Sequence, residues 1–417
     1  MTSEPYPSGP FRAFRYRHYP SLWLANFFSY TSRWMQVPLL AWMILELTDS
    51  PWLVSLVGFF SMLPTLLLGL VGGVLVDRVD RRRLMTLTQG IAVLASCVLA
   101  LLMLTDTVRV WHAYATMLIT GGCWALSFPA RRAAIFDLVG PTGVTNAIAL
   151  DAIGMNGSRM VGPGMAGVLI SLTGVAGGSV AVAVCYALSY VFLLPFPAGA
   201  GQPRATARQP VMRNLVEGIA YVRSNPVILA TVLVTLIINL LMFPYVPMVT
   251  VVARDVLHVG PTLIGTLQAA EGLGSSVGAA FIALAVGLRY HGRVYVGGSL
   301  LSLLALFAFS VSQWYIVSFP VLFLLGLGMA GFATMQSTLV LILAKDDMRG
   351  RALGVISLAI GAGPVGSLLI GAVADNVSPV FAIRIFALTG IMVLSVAVLA
   401  LPRIMDATRE ILGSERR

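Results

Sequence analysis

The sequence predicts an all-α membrane protein with twelve transmembrane helices in two pseudo-symmetric six-helix bundles and both termini in the cytoplasm. Three observations carry that expectation. Of the 417 residues, 58% are hydrophobic and 11% charged, whereas a soluble domain is about half apolar and about a quarter charged. The apolar residues gather in runs of about 20 or more, the length that crosses a hydrocarbon core; a β-barrel would instead show short alternating strands. The basic residues also alternate with the runs. With the N-terminus in the cytoplasm, 22 of the 27 Lys and Arg fall on that side, as the positive-inside bias requires. This placement accounts for the net charge of +10 without a nucleic-acid partner.

In chain order, residues 1–19 form a polar, Pro-rich start with Arg12, Arg15 and Arg17. The first apolar run is too long for a cleavable leader and lacks a small-residue cleavage site, so it is read as a span. Spans are expected at about 20–46, 52–76, 84–105, 112–130, 146–172, 178–197, 226–253, 261–287, 293–311, 315–343, 350–374 and 379–402. Cytoplasmic basic segments follow the second span (Arg78, Arg81, Arg82, Arg83), the fourth (Arg131, Arg132), the eighth (Arg289, Arg293) and the tenth (Lys345, Arg349, Arg351), and mark the C-terminal tail. Three units result: an N-terminal six-helix bundle (1–197), a cytoplasmic linker (198–225) and a C-terminal bundle with its tail (226–417). The linker turns amphipathic from Val211 to Val222 and is expected to form a surface helix. Gly162-Pro163 in the fifth span recurs as Gly363-Pro364 in the eleventh, about half the chain later. That offset predicts two parallel halves.

Charges inside spans are the most informative residues, because each costs several kcal/mol unless paired or hydrated. They are Arg33 in the first span, Arg159 in the fifth and Glu271 in the eighth. On the first span, Asn26, Ser29, Tyr30, Arg33 and Gln36 make a polar stripe at helical spacing. Asn156, Arg159 and Pro163 share a face, as do Gln268, Glu271 and Ser275. Asp151, at a span end, is expected to reach water, as are Glu46 and Asp375. Trp23, Trp52, Trp111 and Trp314 sit near span ends as an aromatic belt. Cys97, Cys123 and Cys185 lie within apolar runs and are expected to pack there. No phosphate loop, metal-spaced His/Cys cluster or nucleophile elbow occurs, so neither an enzyme, a metal nor a cofactor is expected.

The segment Gly72-Gly73-Val74-Leu75-Val76-Asp77-Arg78-Val79-Asp80-Arg81-Arg82-Arg83 resembles the G-x-L-x-D-R-x-G-R-R/K loop between the second and third helices of the major facilitator superfamily. The match comprises Gly73, Leu75, Asp77, Arg78, Arg81 and Arg82, with Asp80 where the family usually has Gly. Arg33-Trp34-Met35-Gln36, Pro129-Ala130-Arg131-Arg132-Ala133, Asn146-Ala147-Ile148-Ala149-Leu150, the stretch from Glu217 to Pro226, and Arg349-Gly350-Arg351 resemble the enterobactin-exporter and macrolide-efflux branch. The resemblance implies a latch in which Asp77 faces the start of the eleventh helix at Arg349, Gly350 and Arg351. It also implies an antiporter-type Gly-Pro segment of Gly157, Gly162, Pro163 and Gly167, with Ala166 where Gly is usual; the copy at Gly361, Gly363, Pro364 and Gly366 equally reads as close packing.

In the family fold the first, fourth, seventh and tenth helices line a central cavity. That nominates Tyr30, Arg33, Trp34, Trp124, Asn239, Tyr245 and Gln336, with Gln268 from the eighth helix, as substrate-binding residues. The fifth and eighth helices are neighbours, which pairs Arg159 with Glu271 as either a static ion pair or a proton-coupling pair. The implied activity is alternating-access, proton-coupled export of a drug-like or siderophore-like small molecule by a monomer in the cell membrane. Import of a metabolite, sugar or lipid on the same fold is the alternative. A non-transporting membrane receptor or assembly partner is the alternative of another class.

Overall fold

The computed structural model describes residues 9–76, 79–197, 211–285, 290–345 and 347–406. Among these the chain is helical throughout, with no strand. A 3₁₀ turn, Arg12–Arg15, leads into α1 (Tyr19–Thr48), α2 (Pro51–Val76), α3 (Arg81–Leu104) and α4 (Val110–Leu193). Then come α5 (Val211–Ser224), α6 (Pro226–Ile237), α7 (Tyr245–Asp255), α8 (Pro261–Leu284), α9 (His291–Val311), α10 (Tyr315–Leu343), α11 (Arg349–Ile360), α12 (Gly363–Asn376) and α13 (Pro379–Ala400). Nine helical stretches among the described residues are long and apolar enough to cross a membrane. α1 falls outside that set although it has 30 residues, because its polar stripe dilutes the apolar content.

Local chemistry explains several boundaries. Asn225 accepts from the backbone N–H groups of Val227 and Ile228 at 3.1 and 3.2 Å, and Pro226 opens α6. Ser378 and Pro379 start α13 in the same way. These are ordinary N-caps, in which a short polar side chain satisfies donors that have no helical partner. Asp80, unusual in the loop motif, proves to be the N-cap of α3, accepting from the Arg83 amide at 2.9 Å.

The main departure from the expected elements is α4. It runs continuously through three expected spans, broken only where Gly140 (φ 64°) and Gly174 (φ 72°) take left-handed backbone conformations. Glycine has no Cβ to oppose that geometry, and Pro141 then restarts the helix with its φ already set. The fourth span therefore continues to 139, and the expected loop at 131–145 reduces to Gly140. Two further spans are interrupted. A π-turn, Ile238–Met242, separates α6 from α7, and a turn at Gly361 and Ala362 separates α11 from α12.

The bundle's polarity is inverted relative to a water-soluble protein. Leu94, Phe281, Leu284, Ile316 and Leu399 are exposed, while Asn26, Gln36, Gln89, Arg131, Asp151 and Glu271 are buried. Such an apolar exterior suits a hydrocarbon surround. Trp111 and Trp314 project outward, as a belt would. Trp23 does not: its indole donates to the Leu150 carbonyl at 2.8 Å and its ring stacks on Phe27. Cys97 faces outward, contrary to the packing expectation, while Cys185 is buried.

α1 and α3 pack on α4, and α8, α9 and α10 pack together; α2 against α12 and α4 against α8 join the first and second parts of the chain. Small residues make the joins close. A Cβ added at Gly265 would sit 2.9 Å from the Gly167 Cα, and one at Gly58 would sit 2.9 Å from the Ser367 hydroxyl. Among the described residues, several polar ties between these parts lie toward one end of the bundle. Arg254 reaches Asp49 at 2.8 Å and the Leu45 carbonyl at 3.1 Å. Ser50 donates to Asp375 at 3.3 Å, and Thr262 to Ser171 at 2.7 Å. α5 docks on α11 through Leu215, Ile219 and Val222 against Val355 and Ile356.

Candidate functional site

Close helix contact creates the first part of the site. The segment of α4 after Gly140 crosses α8 where a Cβ on Gly272 would lie 2.6 Å from the carbonyl carbon of Arg159. With the backbones this near, the Arg159 guanidinium reaches the neighbouring Glu271 and forms an ion pair with its carboxylate. Both side chains are largely buried, at 12% and 11% exposure. Trp34 of α1 stacks over the Arg159 guanidinium at 4.7 Å, a cation–π contact that strengthens with desolvation. Tyr245, at the start of α7, lines the same crevice as Glu271. Gln268, one turn earlier on α8, donates to Thr250 at 3.2 Å. Trp34, Arg159, Tyr245, Gln268 and Glu271 thus share one narrow crevice, closed by Pro163 and Leu322.

A larger cavity of about 230 Å³ adjoins it, sharing Trp34, Arg159 and Val246. Arg33, Trp34 and Trp124 line it from one side, and Met62, Phe243 and Ser367 from the other. The Arg33 guanidinium lies 4.8 Å above the Trp124 ring, and Tyr30 meets that ring edge-on. The second and eleventh spans contribute to the wall as well as the first, fourth and seventh. Three nominated residues stand elsewhere. Gln336 donates to the Thr235 hydroxyl at 3.1 Å and ties α10 to α6, while Asn239 donates one turn back to the Thr235 carbonyl at 2.9 Å; neither lines the cavity. Tyr30 is buried behind Trp124, with its hydroxyl 3.3 Å from both oxygens of Asp151.

Asp151 leads to a cluster the sequence reading missed. It is 1% exposed, not a water-reaching interfacial acid, and Arg131 beside it is also 1% exposed, not a loop residue. Arg131 donates to Asn26 Oδ1 and Gln89 Oε1, each at 2.7 Å, and Asn26 Nδ2 donates to Asp151 at 2.8 Å. Arg132 approaches Asp151 at 3.9 Å. Four helical segments meet in this network. Its signal was the run Ala130, Ala133, Ala134 and Ile135, which continues a buried helical face past the expected end of the fourth span.

In the fifth-span motif, Gly162 abuts α1, where a Cβ would lie 2.7 Å from that of Trp34, and Gly167 abuts α8. Gly157 faces open space. In the loop motif Asp77 and Arg78 lie outside the described residues, and Gly73 falls in the last turns of α2. Arg81 pairs with Asp137, and Arg82 donates to the Leu194 carbonyl at 2.9 Å. Arg349, Gly350 and Arg351 begin α11, and Arg351 reaches Glu217 of α5 at 3.1 Å. The hydrogen bond from Arg213, reinforced by the charge of Arg351, holds the Glu217 carboxyl below its ordinary pKa. No group of three or more His, Cys, Asp or Glu that could hold a metal occurs among the described residues.

Comparison with known proteins agrees with this architecture. The profile of a family described as "Transmembrane secretion effector" matches residues 8–413. The staphyloferrin A transporter of Staphylococcus aureus (strain NCTC 8325 / PS 47) is 26% identical over 374 residues, covering 88% of this chain and 91% of that protein. The multidrug efflux pump Tap of Mycolicibacterium fortuitum is 30% identical over 361 residues, covering 80% and 83%. Among solved structures, a POT family transporter in complex with 5-aminolevulinic acid superposes with a TM-score of 0.76 at 12% identity, covering 93% of this chain and 96% of that one.

Proposed function

The chain belongs to the transmembrane secretion effector family of major facilitator transporters, and on that premise we propose that it exports a drug-like or siderophore-like small molecule in exchange for protons. Twelve spans follow when α4 is counted as three crossings and the α6–α7 and α11–α12 pairs as one each. The basic-residue pattern then puts both termini, α5 and the start of α11 in the cytoplasm. Residues 1–197 and 226–417 form the two six-helix halves, joined by the linker 198–225. The ties at Asp49–Arg254 and Ser50–Asp375 fall at the end this pattern assigns to the outside. That supports reading the conformation as closed outward, one of the two states of a rocking transporter.

The observation that carries the coupling is the Arg159–Glu271 pair, which bridges the two halves beside the cavity. Facing Glu271 are Arg159 from α4 and Tyr245 from α7; the remaining described residues of the crevice do not titrate. A proton on Glu271 removes its attraction for Arg159. A buried arginine left without a partner is costly, by several kcal/mol, so the protonated pair favours a conformation in which α4 and α8 part and Arg159 meets water. Substrate release on the outer side and proton release on the inner side complete the cycle. The names of the two relatives support the cargo class, and that of the efflux pump supports the direction.

A growth-inhibition screen with deletion and overexpression strains identifies an exported compound. In proteoliposomes an imposed pH gradient should then drive its flux. Glu271→Gln should abolish gradient-driven flux and leave substrate binding intact. Flux indifferent to the gradient overturns the exchange mechanism, and equal loss of binding and flux in Glu271→Gln returns the pair to a structural role.

A further inference from the structure

We propose that the central cavity binds an amphipathic organic anion, an apolar or aromatic body bearing one carboxylate or similar group, with Arg33 as its counter-ion. This rests on reading the cavity as the transport site. Four observations lead to it. Among the described residues the cavity wall contains two arginines, Arg33 and Arg159, and no acid. The Arg159 charge is already met by Glu271. Arg33 lies in no ion pair or hydrogen bond with a described residue, and its cation–π contact is with the face of Trp124. The nearby acid Asp151 is engaged by Asn26, Tyr30 and Arg132. One uncompensated positive charge therefore faces the space.

A lone guanidinium at this depth in a membrane bundle is expensive and marks a functional position. A ligand carboxylate would restore the pairing with the short, charge-assisted bonds that a planar guanidinium makes best. The indoles of Trp34 and Trp124, with Phe243 and Met62, supply flat apolar walls for the rest of the molecule. A cationic compound would meet like charge on one wall and no acid on the other, so the same residues select against it. A neutral compound would leave Arg33 unpaired.

The test uses full-length protein in lipid nanodiscs with no gradient, and three probes of one shape: 1-naphthoate, 1-naphthylmethanol and 1-naphthylmethylammonium. Affinities are read by calorimetry. The acid should bind about tenfold or more tighter than either isostere, a difference of about 1.4 kcal/mol or more. Arg33→Gln should bring acid and alcohol to within about a factor of two while keeping affinity for the alcohol, which checks that the cavity persists; about one RT covers that factor. Arg33→Lys should retain most of the preference, and Trp124→Ala should weaken all three probes. Equal or tighter binding of the ammonium by the unaltered protein overturns the proposal, as does a preference for the acid that survives in Arg33→Gln. Because binding is read without a gradient, the outcome separates from the export reading. Anion binding without gradient-driven flux defeats only the latter, and gradient-driven export of a cation by a cavity that shows no anion preference defeats only the former.

Discussion

Arg33 and Arg131 are both inward-turned arginines with no carboxylate of a described residue at hydrogen-bond distance, yet their surroundings give them opposite roles. Arg131 is enclosed by protein, with two amide oxygens on its guanidinium and Asp151 one hydrogen bond further on. It balances that buried acid through Asn26 and ties the first span to α3 and α4. Arg33 opens onto a cavity. Removing the Arg131 charge alone leaves Asp151 to the distant and partly exposed Arg132. Arg131→Met is expected to destabilise the protein by about 3–5 kcal/mol, the cost of stranding one partner of a buried charge system. Arg131→Met/Asp151→Asn should recover part of that loss, since the stranded charge leaves too. Equilibrium unfolding in mixed micelles reads both; a double variant no more stable than the single one would separate the two residues. Neither role was legible from residue type. Arg131-Arg132 reads as a cytoplasmic basic pair whether it is solvated or enclosed, and the apolar residues that follow it were the discriminating signal. Arg33 stood out because a polar stripe surrounded it.

At the scale of elements, the glycines of the fifth span divide into those that set helix contacts and those that do not. Gly167→Ala places a methyl against the α8 backbone at Pro261 and Gly265. It is expected to cost about 1–3 kcal/mol through overpacking and to reduce transport by spreading the Arg159–Glu271 pair. Gly157→Ala enters open space and should change stability by no more than about 0.5 kcal/mol; thermal unfolding and flux assays on the two variants read the contrast. α5 offers a pH-dependent contact outside the bundle. The Glu217 carboxyl is held below its ordinary value, chiefly by Arg213 and then by Arg351. Its folded pKa is depressed, so the α5–α11 contact is fully stabilised above the unfolded value of about 4.3 and weakens as pH falls through the folded value. Spin labels on α5 and α11 should move apart below that pH in the native protein, and Glu217→Gln should show no such transition. Element positions were legible wherever an apolar run ended in charges or Pro. The breaks at Gly140 and Gly174 were not, because the sequence holds 41 glycines and hydropathy does not mark which of them takes a positive φ.

At the scale of the whole molecule, the apolar runs and the alternation of basic residues anticipated a helical membrane bundle without reference to any relative. The meeting of Arg159 with Glu271 was legible only through the family's helix order, since nothing local to either span names its neighbour. The same order misplaced Asn239 and Gln336, whose helices reach the centre but whose side chains turn to Thr235. Arg33, with no ion-pair partner among the described residues, has a consequence for energetics. If the cargo it accepts is a monoanion and one proton returns for each molecule exported, both movements carry positive charge inward. Two elementary charges then cross per cycle, and each is worth about 2.3 kcal/mol per 100 mV of membrane potential. Expulsion would draw on the voltage of the cell as well as on its pH difference, and would continue at neutral external pH, where the proton gradient alone has vanished.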